Sequence, residues 1–232
     1  MYHSITIGDK NTWDDWHLIP TSRPLVNPPK AKMSFVDIPG ADGALDLSTV
    51  LTGQVLFSDR VGSWEFAVEN DFREWQILYS EIMAYLHGNE FKIILEDDPN
   101  YYYEGRLSVN AWNSQKDWST IVIDYELGPY KKYNSVEGAW IWDTFNFETD
   151  IIRYYKDLTV DGELNLTVFG DRMKIIPTIF VSAPMEVTYN GTKYKLKVGG
   201  NKIENIILEP GKNQMLFSGK GKVDIEFIGG LL

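Results

Sequence analysis

The sequence predicts a mostly β protein in two parts, the first of short strands with one helix, the second an antiparallel sandwich or jelly roll without a helix. Three observations carry this. Aromatic residues make up 14% of the 232 residues, with 8 Trp, 13 Tyr and 11 Phe, and pleated, half-buried surfaces favour such side chains. Short stretches of alternating apolar and polar residues recur between turn signals along most of the chain. A helical period is convincing only once.

In the first half, Ser4–Ile7 reads as a strand that meets the turn Gly8-Asp9-Lys10-Asn11. Pro20, Pro24, Pro28 and Pro29 make 20–29 an extended arm poor in ladder bonds, because proline donates none. Strands follow near 33–38, 53–58 and 63–69. Gly40 and Gly43 flank Ala-Asp in a loop that calls for positive φ, with Asp42 and Asp46 placed to brace it.

The helix spans roughly 71–87. Asn70 or Asp71 caps it, with Glu74 completing a capping-box-like pair. Trp75, Leu78, Ile82 and Leu86 form its apolar stripe, widened by Tyr79 and Tyr85, and Gly88 stops it. Strands resume at 91–95, 101–109 and 118–127. In the last of these Ile121, Ile123, Tyr125 and Leu127 share one face.

Gly128-Pro129-Tyr130-Lys131-Lys132 breaks the pattern and sets domains of 1–133 and 134–232. Beyond it no helix is expected. Strands read at 139–147, 164–169, 174–181, 185–190, 193–198, 203–208, 213–217 and 222–228. Tyr189-Asn190-Gly191-Thr192 is a strong hairpin signal, since Asn-Gly supplies the positive φ angles of a type I′ turn.

Composition removes several function classes. The formal net charge is −11, and tight sequence-independent nucleic-acid binding needs clustered Lys and Arg. Lys131-Lys132 and Lys220/Lys222 are too small to reverse that. There is no cysteine, so disulfides and Cys-ligated metals are excluded. No apolar run approaches a membrane span, and no opening stretch reads as a secretion signal. The sequence therefore reads as a soluble chain without membrane insertion.

Catalytic patterns are equally thin. His3, His17 and His87 have no metal-ligand spacing. Gly219-Lys220-Gly221-Lys222 lacks the glycine of a phosphate loop and reads as a turn between strands. Asp14-Asp15 and Glu96-Asp97-Asp98 are adjacent acids that point to opposite strand faces, which does not suit a glycosidase pair. Glu96–Asp98 reads as a solvated hairpin tip, with a weak Ca²⁺ site as its alternative. Trp140 and Trp142 share a strand face, where packing is favoured over stacking on sugar rings. No catalytic, cofactor-binding or metal-binding residue is assigned.

Three segments carry a family resemblance. The opening SITIGDKNTWDDWHLIPTSRPLVNPPKAK at 4–32 is similar to the start of phage distal tail (Dit) proteins. FVDIPGADGALDLSTVLTGQVLFSDRVGSWEF at 35–66 resembles the family's loop, strand, and Arg and Gly ahead of an aromatic strand. The segment at 205–232 is similar to the closing strands of its galectin-like C-terminal domain.

The resemblance implies an N-terminal β-sandwich carrying one α-helix and a β-hairpin arm, a C-terminal galectin-like β-sandwich, and the role of a virion structural protein and not an enzyme. Six copies would form a ring at the tail tip, joining the tail tube protein to the hub or tail-associated fibre protein, with receptor-binding proteins as further partners. It implies a virion location, assembly in the host cytoplasm, no cofactor and no stable nucleic-acid binding. The alternative reading is a carbohydrate-binding β-sandwich module acting in host attachment.

Overall fold

The computed structural model describes residues 3–68, 75–114, 118–134 and 155–232. The expected helix cap at Asn70, Asp71 and Glu74, the strand at 139–147, and Trp140 and Trp142 lie outside the described residues. Strands dominate, arranged as two curled sheets with separate cores. The chain divides into compact units of Met1–Lys131, with Leu232, and Lys132–Leu231.

The strands of the first half are β1 Ile5–Ile7, β2 Lys10–Asn11, β3 Leu18–Pro20, β4 Ala31–Lys32, β5 Phe35–Asp37, β6 Ala44–Asp46, β7 Leu56–Phe57 and β8 Arg60–Val68. After helix α1, Trp75–Leu86, come β9 Glu90–Leu95, β10 Tyr101–Ser114, β11 Ser119–Leu127 and β12 Lys131–Tyr133. The main sheet runs β2-β1-β9-β10-β11-β8-β3.

Period-2 patterning sets its inner face. Ile121, Ile123, Tyr125 and Leu127 of β11 are all buried, and Trp64 and Phe66 of β8 lie opposite Ile123 and Ile121. Trp64 and Tyr125 pack with ring centroids 4.4 Å apart. One bulge corrects the face of β10. Val109 pairs Ile123 but Ala111 pairs Val122, so Asn110 is the extra residue. The parity flips there, and Trp112 packs on the core beside Ile121 and Tyr79.

The helix buries Trp75, Leu78, Ile82 and Leu86, the stripe its spacing predicts. Gly88 follows at φ 80° and donates its N–H to Leu107 O at 2.8 Å. A residue with a Cβ resists that angle, so the helix stops there.

The second unit contains β13 Leu158–Gly170, β14 Thr178–Val181, β15 Met185–Tyr189, β16 Thr192–Leu196, β17 Gly199–Lys202, β18 Gly211–Glu226 and β19 Gly230–Leu231. Its sheet runs β16-β15-β18-β14-β17, with β13 paired along β18 from Leu158↔Val223 to Gly170↔Gly211. Asn190 and Gly191 take φ of 48° and 76° in the expected hairpin.

Three strand expectations change. Residues 213–217 and 222–228 are not two strands joined by a turn, since β18 runs through Gly219–Lys222 unbroken. Pro177 has no N–H to donate, and the strand expected at 174–181 starts only at Thr178. The strand expected at 203–208 is displaced to Gly199–Lys202, which pairs with β14. There the Asn201 side chain satisfies Lys197 N–H at 2.9 Å and Lys197 O at 2.7 Å. Residues 203–208 turn instead, burying Ile206 and Leu208, and keep one bridge between Leu208 and Ile175.

Candidate functional site

The candidate site is the segment between β3 and β8, because its chemistry departs most from that of a folded surface. From Arg23 to Pro29 the chain forms no strand or helix, in keeping with prolines that donate no ladder bond. It then forms a hairpin in two steps: β4 pairs β7, and further out β5 pairs β6 with Phe35↔Asp46, Val36↔Leu45 and Asp37↔Ala44. Every residue of β5 and β6 is exposed.

The exposed residues are apolar. Nine of the 16 exposed large apolar side chains among the described residues fall between Leu25 and Leu56, including Met33, Phe35, Ile38, Leu45 and Leu51. Leu51 is 96% exposed. A two-stranded hairpin is marginal alone in water, and a concentration of exposed apolar side chains marks a contact surface. The arm is therefore built to be covered.

Its tip follows the sequence closely. Gly40 and Gly43 take φ of 84° and 76°, the positive values their loop calls for. Asp46 does not brace that loop. Its Oδ1 accepts the Ser48 N–H at 2.8 Å, and the Ser48 hydroxyl first, with this backbone bond second, holds its carboxyl below the usual range.

The acidic residues that sequence reasoning weighed are engaged structurally. Ser4 N–H donates to Glu96 Oε2 at 2.7 Å. Asp97 binds Arg23 Nε at 2.8 Å and His3 Nδ1 at 2.9 Å, so the turn after β9 ties down both the N-terminus and the start of the arm. Those two partners, Arg23 first, lower the Asp97 pKa. Asp98 accepts from Lys131 Nζ at 2.7 Å, and that ammonium lies 4.0 Å from the Tyr101 ring centroid. The tip is a node of contacts, not a free solvated turn.

Asp15 closes its own loop through Asn11 N–H at 2.7 Å and Lys10 Nζ at 3.1 Å. His17 stacks edge-on with Trp13, and His87 Nδ1 accepts the Val109 N–H at 3.2 Å. The three histidines thus sit in separate structural roles. No group of three or more His, Asp or Glu among the described residues is arranged to hold a metal ion. Among these residues no helix is long and apolar enough to cross a membrane.

The fold of this chain, two curled β units with one helix and an exposed hairpin in the first, is shared over its whole length by a solved phage protein. That structure is the SPP1 Dit (gp 19.1) protein, described as a paradigm of the hub adsorption apparatus in phages that infect Gram-positive bacteria. The match has a TM-score of 0.62 at 14% identity and covers 100% of each chain. No family model matches the sequence. No curated relative matches it either.

Proposed function

We propose that this chain is a structural component of a phage or phage-derived tail tip, built into a hexameric ring through its N-terminal unit. The observation that carries the reading is the full-length sharing of fold with a phage hub protein by a chain whose arm exposes so much apolar surface. A ring closes when each copy meets the next through two different surfaces. An arm that reaches out from one copy and lies on its neighbour supplies that asymmetry.

In this reading the ring joins the tail tube protein to the hub or tail-associated fibre protein. The galectin-like C-terminal unit offers a platform for receptor-binding proteins. The role is mechanical and needs neither a catalytic residue nor a cofactor. The protein would reside at the virion tail tip after assembly in the host cytoplasm. Residues 1–133 and 134–232 act as separate folding units, and a 134–232 fragment should melt cooperatively with little helical signal by circular dichroism.

Electron microscopy and native mass spectrometry of the purified protein test the ring. Six-fold rings, or hexamers that appear on mixing with tail-tube and hub partners, are the expected result. A strict monomer under all of these conditions rejects the proposal.

A further inference from the structure

The root of the arm is held by a set of side chains that reach it from the edge of the first core. On β8, Arg60, Gly62 and Trp64 lie on one face at period 2, and Tyr125 of β11 stands opposite Gly62. All four meet Leu25 or Asn27, where the arm leaves the body. Trp64 Nε1 donates to Leu25 O at 2.9 Å. The Asn27 N–H donates to Tyr125 Oη at 2.9 Å, and Asn27 Nδ2 to Val61 O at 2.9 Å. Arg60 Nη1 donates to Asn27 O at 3.0 Å, while its Nε reaches Pro129 O at 3.0 Å.

Two features show that this arrangement is built. Arg60 is 4% exposed and pairs with no carboxylate among the described residues. Burying a guanidinium without an acid is costly, and burial does lower its pKa. Its donors instead go to two carbonyls distant in sequence, with the Tyr103 ring centroid 5.6 Å from Cζ. The second feature is the glycine. A Cβ on Gly62 would crowd the Tyr125 hydroxyl and come 2.6 Å from Asn27 Nδ2. Only glycine there leaves space for both the Tyr125 hydroxyl, which accepts the Asn27 backbone N–H, and the Asn27 side chain, which donates to Val61 O.

We propose that Arg60, Trp64 and Tyr125, with the gap at Gly62, form a clamp of positioning residues that fixes the direction in which the arm leaves the body. The arm itself cannot set that direction, since residues 23–29 make no ladder and β5 and β6 contribute no buried residue. Four polar contacts on Leu25 and Asn27 replace a ladder. The clamp acts on the arm whatever surface the arm meets, so its test does not depend on ring formation.

The chain has no cysteine, so spin labels at Asp42→Cys and Gln76→Cys report the distance from arm tip to helix α1. Labelled protein is diluted into unlabelled protein so that pairs within one copy dominate. The unaltered clamp should give one narrow distance distribution. Tyr125→Phe removes only the hydroxyl that Asn27 binds, and Arg60→Met removes the guanidinium; both should lose the narrow peak. Ile93→Val, a core change on β9 remote from the arm root, controls for loosened packing and should keep it. Should Arg60→Met fail to fold, Tyr125→Phe decides alone. A broad distribution with the clamp intact overturns the proposal. So does a narrow one in Tyr125→Phe, or equal broadening in Ile93→Val.

Discussion

Gly219 lies against Met185 so closely that a Cβ on the glycine would stand 2.6 Å from the methionine Cβ. Two residues on, a Cβ at Gly221 would meet Ser182 Oγ at 2.7 Å. These contacts explain how β18 runs for 16 residues. Along one edge it pairs β15 at Ser218 and before, then β14 from Val223 onward. The link from β14 to β15 runs alongside the strand between those pairings, past the two glycines, and the register continues unbroken from Val181↔Val223 to Glu186↔Ser218. Ser182 closes this gap in the pairing by donating its N–H to Lys222 O and accepting the Lys222 N–H at its hydroxyl.

Replacing Gly219 by alanine should therefore destabilise the C-terminal unit. The clash involves Cα and Cβ of Met185, not a flexible tip, and Gly219 has φ of 152°. Overpacking of this kind costs roughly 1–3 kcal/mol. Thermal melting should show a lowered transition. Alanine at Gly162, opposite Gly219 in β13, meets no atom within 4 Å, and its cost should be confined to backbone strain at φ 90°. A smaller loss at Gly219 than at Gly162 would contradict the close-approach argument.

Asn213 should be the least replaceable polar residue of that unit. It is 5% exposed, and its Nδ2 donates to Glu209 O at 2.8 Å, Gly211 O at 3.1 Å and Val168 O at 3.3 Å. Its Oδ1 accepts the Glu209 N–H at 2.9 Å and the Tyr189 hydroxyl at 3.0 Å. One side chain thus satisfies the turn from Glu209 to Gly211 and the end of β15. Asn213→Ala leaves several of these groups unpaired, at about 1–3 kcal/mol for a buried partner. Denaturant melts should show the loss. Tyr189→Phe should cost less, because Asn213 keeps its backbone partners.

Much of this architecture is legible in the sequence where the determining contacts are local. The α1 stripe, the inner face of β11, the Asn190-Gly191 turn and the positive φ at Gly40 and Gly43 need only neighbours a few residues apart. The corner of β18 does not. Two glycines in a strand look like turn punctuation until Met185 and Ser182 are known to occupy their space. Parity offered a signal, since Asn213, Met215, Phe217, Val223 and Ile225 all point inward on odd numbers with the glycines between. The strand Gly199–Lys202 was hidden because Gly-Gly-Asn-Lys carries no strand propensity. At the arm, the Arg and Gly ahead of an aromatic strand stood out. Their partners Asn27 and Tyr125 are 98 residues apart, a pairing no local pattern reveals.

Acid should loosen the N-terminal unit through Asp97. Arg23 and His3 hold its folded pKa below the ordinary 3.8. A depressed carboxylate contributes stability that is present above its unfolded pKa and lost as pH falls through the folded one. The sign is the same for Asp46, lowered by Ser48, and Asp15, lowered by Asn11 and Lys10. Stability should therefore fall below about pH 4. In Asp97→Asn that fall should be shallower, with stability lowered at neutral pH. Hydrogen exchange at β1 should rise in the same variant, since Asp97 also anchors the N-terminus through His3. An unchanged acid limb in Asp97→Asn would assign the acid sensitivity to other carboxylates.

The protein should not hold double-stranded DNA, and its charge distribution says where the reason lies. Residues 1–131 contain 10 Lys and Arg against 20 Asp and Glu, a net of −10; residues 132–232 contain 12 against 13, a net of −1. The acidity of the whole chain thus belongs to the unit proposed to surround the tail channel. Each phosphate a protein neutralises adds affinity by releasing counterions, so a channel crossed by a genome is served by a wall that neutralises none. Lys131, a cation that could have lined such a wall, is already bound to Asp98 and stacked on Tyr101. Arg60 is buried. Gel-shift titration with random duplex at low salt, where surface electrostatics are least screened, should show no complex. The acidic N-terminal unit should migrate alone even when Asp14 and Asp15 are both changed to asparagine, because that removes only two of its 20 acids. Tight binding that weakens steeply with added salt would reject the non-stick channel, and with it the orientation proposed for the N-terminal unit.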